Sequence, residues 1–349
     1  MNILAIESSC DETAVAIIEN GIKILSNVVA SSTKMHEKYG GIVPEVASRQ
    51  QLAYILPVLK EALLPFGDDN KKAIENTIDA IAVTVGPGLV GSLLIGVETA
   101  KTLSFVTGKP IIPVNHVLAH IYANFLDSQD TIKFPAIALV VSGGHTELYL
   151  MKSEKDLKWL GGTIDDAAGE AFDKSARLLG FGHGGGLSIQ KAALTYQKEK
   201  NDNIIALPRP MMHDKSFNFS FSGLKTAILR EVQSLQKKET LSPLVIAHLS
   251  YEIEEAITDV LVAKTMHAAT EHNASSILLG GGVASNIRLR DKFQMRNEEL
   301  GTKNQLFFPL FSLCTDNAAY IGSYAFFRGK PIDWHDIDVT PDLSVEVSE

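Results

Sequence analysis

The chain has 349 residues, 45% hydrophobic and 21% charged, with a formal net charge of −9. That length buries about three quarters of the unfolded surface and exceeds one simple core, while the acidic balance argues against a dedicated nucleic-acid binder acting unaided. No stretch approaches the roughly 18 uninterrupted apolar residues of a membrane span, no basic leader precedes Glu7 and Asp11, and Cys10 and Cys314 form no CxxC pair, so a cytoplasmic protein with reduced thiols is expected.

Residues 2–6 form an apolar run, followed by the small-polar loop 7–13 and a second apolar run at 14–18. Asn20-Gly21 marks a hairpin turn before a third strand at 22–30. Residues 44–64 have helical spacing of Val46, Ala53 and Leu56, and a polar loop is expected over 67–72. A strand at 78–85 ends in Gly86-Pro87-Gly88 and leads into a small-residue helix, 89–105, whose Gly91 and Gly96 imply close packing. After a strand at 111–114, Asn115 is a good N-cap for a helix over 116–126. His116 and His120, at i and i+4, share one face of that helix and are within reach of one metal ion. A solvated His pair is the plain alternative, and a zinc-peptidase HExxH is disfavoured because Val117 follows the first His.

Residues 136–141 are an unbroken apolar run, read as a buried strand. Ser142-Gly143-Gly144-His145-Thr146 follows, then an extended apolar pattern, a turn at 152–155 and a strand at 157–160. Two adjacent glycines let backbone N–H groups approach an anion, with Ser142 and Thr146 as hydroxyl donors. The layout repeats that of the N-terminus roughly 130 residues earlier, too long a period for a solenoid. Two related hairpin units closed by helices imply two similar lobes, with a ligand cleft between two polar loops.

Thr163 and Asp166 have capping-box spacing before a helix carrying Glu170, Asp173, Lys174 and Arg177. Asp173 is either an exposed carboxylate or a ribose-binding acid. The loop from Gly182 through His183 and Gly184 to Gly186 favours mobility or close ligand approach. Nine lysines and arginines between Lys191 and Lys238, Lys198 and Lys200 among them, form either a local basic face or a solvated surface. Alternating Phe217, Phe219 and Phe221 read as a strand with one aromatic face, and 242–272 as a long helix. A strand at 276–279, the Gly280–Asn286 loop and a helix from Ile287 make a nucleotide-binding arrangement, but not the GxGxxG of a Rossmann fold; Asn286 is aimed at the ligand. Thr315 or Asp316 caps a last helix over 317–328, or Asp316 completes a metal site with the His pair. The acidic tail after Trp334 carries no legible motif.

Together, ESSCDET (7–13), YGGIVPEVASR (39–49), GPGLVGSLLIGVETAK (86–101), PVNHVLAH (113–120), LVVSGGHTEL (139–148), DDAAGEAFDK (165–174), LPRPM (207–211), FSFSGLKTA (219–227), GGGVASN (280–286) and CTDNAAYIG (314–322) resemble the universal tRNA adenosine threonylcarbamoyltransferases of the TsaD type, once described as O-sialoglycoprotein endopeptidases. The resemblance implies the two-lobed α/β fold of the actin, Hsp70 and hexokinase superfamily, with duplicated RNase H-like units and an interlobe cleft. It implies an N-terminal lobe over 1–110, with the helix at about 317–334 packing back on it. A second lobe over 111–316 would carry a helical insertion at about 187–245, and 335–349 would form an acidic tail.

By the same resemblance His116, His120 and Asp316 would hold iron or zinc, while Val140, Val141, Ser142, Gly143, Gly144, Asp173, Gly186 and Asn286 would bind the adenylate. Asp11 and Glu12 match acidic residues that matter for activity. The family's Pro-Gly-Gly-Pro is replaced here by Gly184-Gly185-Gly186-Leu187. The implied reaction moves threonylcarbamoyl from threonylcarbamoyl-AMP, made by a separate synthetase, to N6 of the adenosine beside the tRNA anticodon. Implied partners are tRNA, a TsaB-type paralogue and a TsaE-type ATPase. The rival readings are a superfamily kinase using ATP and Mg²⁺, a metallopeptidase, and a binding module, which should lack the His pair and Asp316.

Overall fold

The computed structural model describes all residues except 37, 38, 40, 183, 184, 198–204, 239, 240, 348 and 349. Lys198, Lys200, His183 and Gly184, singled out above, therefore lie outside the described residues. The chain forms two compact units, Met1–Ile132 with Ser153–Leu157 and Pro309–Glu349, and Lys133–Lys152 with Lys158–Phe308.

In the first unit β1 (Asn2–Glu7), β2 (Glu12–Glu19) and β3 (Lys23–Ser31) form an antiparallel meander. β4 (Ala80–Gly86) pairs parallel with β1, and β5 (Ile111–Asn115) parallel with β4, giving the order β3-β2-β1-β4-β5. The Asn20-Gly21 turn takes positive φ at both residues, 52° and 73°, as its composition requires. Side chains alternate across β1. Leu4 and Ile6 join the core beneath the Pro44–Leu63 and Val90–Thr107 helices, and Ile3 and Ala5 join the core beneath the Ala319–Arg328 helix. Cover on both faces is why β1 reads as a continuous apolar run. Gly322 lets that last helix sit close, since a Cβ there would stand 2.6 Å from Ile18.

The second unit repeats this plan. β6 (Ala136–Val141) and β7 (Thr146–Met151) are antiparallel, β8 (Leu157–Gly162) lies beyond β7, and β9 (Ser276–Gly280) and β10 (Gln305–Phe307) add parallel strands. The order β10-β9-β6-β7-β8 is the first sheet's order with each strand replaced by its counterpart. The long helix read over 242–272 is the 29-residue Pro243–Glu271 helix, which buries Leu249, Ile253, Ala256, Ile257, Val260 and Leu261.

Several expectations are corrected. The first unit runs to Ile132 rather than 110, because β5 hydrogen-bonds to β4 and carries the following helix with it. Residues 309–316 also belong to that unit. The helix expected over 116–126 is α-helical only at His116–Ala119 and continues as a 3₁₀ helix, His120–Phe125. The tighter winding sets residues three apart over one another, and Tyr122 stacks on Phe125 with ring centroids 5.2 Å apart. Phe217–Phe221 is not a strand. Phe219 makes one bridge to Thr163, and Phe219 and Phe221 are wholly buried, so packing explains the aromatic alternation.

Asn70–Thr77 is a helix where a polar loop was expected, begun by Asp69 accepting from the Lys72 N–H. The Thr163 hydroxyl donates to the Asp166 carbonyl instead of capping, and its helix starts at Ala168. The last helix starts at Ala319, where Asn317 rather than Thr315 or Asp316 accepts from the first N–H. Arg209, part of the supposed basic face, is paired with Asp259 at 3.0 Å.

Candidate functional site

Asn115 ends β5 and starts the next turn, its Oδ1 accepting from Val117 N at 3.0 Å and Leu118 N at 3.2 Å. That cap fixes the direction in which His116 leaves the strand. His120 follows one turn on, the two imidazole centroids 4.8 Å apart. Asp316, just before the Ala319–Arg328 helix, brings Oδ1 to 3.6 Å from His116 Nε2 and 3.5 Å from His120 Nε2. One ligand atom from each of the three residues lies within 4.8 Å of the others. The His120 side chain is 1% exposed, that of His116 12% and that of Asp316 24%, so the cluster opens on the Asp316 side.

Glu7, the wholly buried last residue of β1, stands behind His116 with Oε2 3.0 Å from Nδ1. The same carboxylate accepts from the Thr84 hydroxyl and the Ser9 N–H, each at 2.6 Å. Burial pushes the Glu7 carboxyl up, but the His116 charge and the hydrogen bonds from His116, Ser9 and Thr84 bring it below the usual range. Burial alone would lower His116; Glu7, then Asp316, raise it instead to about 9. Asp316 is raised, by burial first, against the attraction of His116, and further by Glu7 and Asp11.

Two imidazoles and one carboxylate suit a divalent transition metal. With His116 Nδ1 held on Glu7, its Nε2 faces Asp316, the arrangement in which an outer carboxylate orients a metal-binding imidazole. Donors about 3.5 Å apart are also what bonds of about 2 Å to one shared ion produce. The residues fit the group.

Asp11 and Glu12 lie beside this cluster. Asp11 Oδ2 accepts from the Thr33 hydroxyl at 2.8 Å, and Glu12 Oε1 from the Ser31 hydroxyl at 3.1 Å. In the metal-free chain burial, then Asp316 and Asp11, push Glu12 up to about 9. Glu7, Thr84 and Tyr320, whose hydroxyl donates to Asp316 at 3.3 Å, went unread in the sequence because they are far from the histidines along the chain. Gln51 was missed too. Wholly buried, it donates to the carbonyls of Ser8, Cys10 and Glu12 at 3.2, 3.0 and 2.9 Å and so sets the loop. Its signal was present, since it falls on the helix face of Ala47 and Ile55.

In the second unit, Val140 and Val141 are buried in β6, and Gly143 and Gly144 form an exposed tip with open space where side chains would stand. Ser142 closes the turn, its N–H donating to the His145 carbonyl at 2.8 Å and its Oγ accepting from His145 N at 3.2 Å. Thr146 is wholly buried and accepts from Ala168 N at 2.9 Å, so it secures a helix start rather than facing a ligand. Gly281, with φ of 87°, packs against the Val141 carbonyl. The β6–β7 turn, the Gly281 loop and the Ala168 helix start thus meet. Asn286 is buried, its Oδ1 capping Leu289 N at 2.8 Å and its Nδ2 donating to Glu254 at 2.7 Å. Asp173 is exposed on its helix with Gly185 packed against it, and Gly186 lies near Phe172.

Two copies of one five-stranded mixed sheet, with a His-His-Asp cluster in the first unit, define an actin- and hexokinase-like α/β protein with a candidate metal centre. Solved structures agree on the fold. Component A of (R)-2-hydroxyglutaryl-CoA dehydratase from Acidaminococcus fermentans superposes with a TM-score of 0.51 at 14% identity, covering 93% of this chain and 98% of that one. Full-length HypF gives 0.57 at 12% identity over 93% of this chain and 46% of its own.

Residues 23–323 match the model of the family described as TsaD, tRNA N6-adenosine threonylcarbamoyltransferase. The protein of that name from Persephonella marina is 47% identical over 95% of this chain and 91% of its own length, and that from Moorella thermoacetica 44% identical over 98% and 96%. The chain belongs to the tRNA N6-adenosine threonylcarbamoyltransferase family.

Proposed function

We propose that the chain transfers the threonylcarbamoyl group from threonylcarbamoyl-AMP to N6 of the adenosine beside the anticodon, in tRNAs reading codons that begin with adenine. The observation that carries this reading is the His116–His120–Asp316 cluster, oriented by Glu7, in a chain of this family. The exocyclic amine attacks the carbamoyl carbon, the bond from that carbon to the phosphate oxygen breaks, AMP leaves, and the N6 proton passes to a base. Because the amine is a weak nucleophile and the donor is already activated, the protein's task is positioning and charge stabilisation.

His116, His120 and Asp316 would hold a divalent ion, iron first and zinc as the alternative. When bound, that ion supplies Lewis-acid polarisation of the carbamoyl carbonyl or a hold on the threonyl moiety. The Gly143-Gly144 turn presents backbone N–H groups to the AMP phosphate, with Val140, Val141 and Ser142 shaping the turn, and Asp173 and Gly186 are the further adenylate contacts. Asn286 serves the adenylate indirectly, by holding its loop in shape. Asp11 and Glu12, which lie beside the cluster, are the candidate proton acceptors in this scheme.

Its net charge of −9 suits a protein that shares tRNA binding with partners, here a TsaB-type paralogue and a TsaE-type ATPase, with a separate synthetase supplying the adenylate in the cytoplasm. A superfamily kinase is not favoured, since relatives at 44–47% identity are transferases by name. The test is incorporation of labelled threonine into unmodified tRNA by this chain, the synthetase, ATP, bicarbonate and both partners. Label that disappears with His116→Ala supports the proposal. No label with active partners overturns it.

A further inference from the structure

The acidic tail, silent in the sequence, is built into the first unit. Ile332 N donates to the Ile111 carbonyl at 2.9 Å, Trp334 meets Phe105 edge-on at 5.3 Å, and Ile337 is 2% exposed in the core. Residues 340–344 then cross the ends of β4 and β5. Thr340 N donates to the Val85 carbonyl at 2.7 Å, and Gly88 N donates to the Pro341 carbonyl at 3.0 Å. Asn115 Nδ2 donates to the Ser344 carbonyl at 3.0 Å. A side chain at Gly86 would collide with the Thr340 carbonyl, so the crossing lies flush on the backbone.

Both routes from this segment lead to His116. Asn115 uses one end of its amide to cap the turn that His116 begins, and the Ser344 carbonyl holds the other end. On the other side, the Gly86-Pro87-Gly88 turn presses on Ser9. Leu89 N donates to the Ser9 carbonyl at 2.8 Å, a Cβ on Gly88 would stand 2.6 Å from it, and Ser9 Oγ lies 3.2 Å from His116 Nδ1.

We propose that residues 340–344 form a strap that positions His116 for the metal, acting through Asn115 and through the Gly86–Gly88 turn and Ser9. With the Ser344 carbonyl gone, the Asn115 amide is free to rotate off the Val117 and Leu118 N–H groups, and the imidazole loses one of the supports that aim Nε2 at Asp316. The strap rests on the metal reading of the His-His-Asp cluster.

The experiment titrates Co²⁺ into four metal-free chains and follows the visible absorption of the bound ion together with thermal unfolding. The chains are full length, one ending at Leu343, one ending at Glu346, and Asn115→Ser, which keeps a capping oxygen but loses the Nδ2 donor. The Leu343 chain and Asn115→Ser are expected to weaken Co²⁺ binding about tenfold, as removal of outer-sphere partners does, and to alter the absorption bands. The Glu346 chain should match full length. Full-length affinity and spectrum in both the Leu343 chain and Asn115→Ser overturn the strap, and Asn115→Ser alone decides if the Leu343 chain fails to fold. Absence of Co²⁺ binding by the full-length chain is a different result, which overturns the metal reading itself.

Discussion

Replacing Glu7 with Gln keeps the shape of the side chain and removes its charge. Glu7 is wholly buried, and its carboxylate is 3.0 Å from His116 Nδ1. In the metal-free protein, Glu7 and Asp316 together raise His116 from 6.5 to about 9. At 1.36 kcal/mol per pH unit this corresponds to about 3 kcal/mol of stability, in the range expected for breaking a buried pair. Because the folded value is the higher one, the contribution is fully present below pH 6.5 and fades as pH rises through about 9. The Glu7 carboxyl is shifted down, so its share is present above pH 4.5 and is lost in acid. Asp316 stays in the variant, so urea unfolding of chelator-treated wild type and Glu7→Gln should differ by at most about 3 kcal/mol at pH 6, and by much less above pH 9. An equal difference at both pH values would refute the electrostatic argument and leave only packing and the bonds to Ser9 and Thr84.

With His116 protonated below pH 9 in the metal-free chain, metal binding must expel a proton. Titration calorimetry in buffers of different ionisation enthalpy should register that proton at pH 7, and affinity should rise toward pH 9; a buffer-independent heat contradicts this. Gly144→Ala should leave thermal stability within about 0.5 kcal/mol, because open space surrounds the site, while raising KM for threonylcarbamoyl-AMP. An unchanged KM removes this turn from adenylate binding. Gln51→Leu deprives three loop carbonyls of their donor and should cost about 2 kcal/mol in urea unfolding, with reduced transfer to tRNA. Full stability in that variant would mean the loop holds itself.

The inner strands were legible because they are buried on both faces, so β1, β4 and β6 read as apolar runs and the repeated hairpin layout stood out. The His pair was legible because its spacing is local. Glu7 and His116 are 109 residues apart, and no local pattern ties one to the other. The Leu289 and Glu254 contacts of Asn286 were not legible, because Glu254 lies 32 residues away along the chain. Phe217–Phe221 shows that alternation also arises in an irregular segment when two of its rings are buried. The tail escaped notice because its grip is largely through backbone groups, which no side-chain pattern announces.

Duplication of the sheet has a consequence for how the two hairpins diverged. β1 and β6 are equivalent strands, yet β1 ends in the carboxylate of Glu7 and β6 in the methyl groups of Val141. The connection after β1 turns its polar groups inward, where Gln51 gathers its carbonyls, while the connection after β6 leaves two bare glycines outside. Having the same scaffold twice released each copy from serving both chemistries. One hairpin was free to specialise in orienting an imidazole, and the other in exposing a tip without side chains.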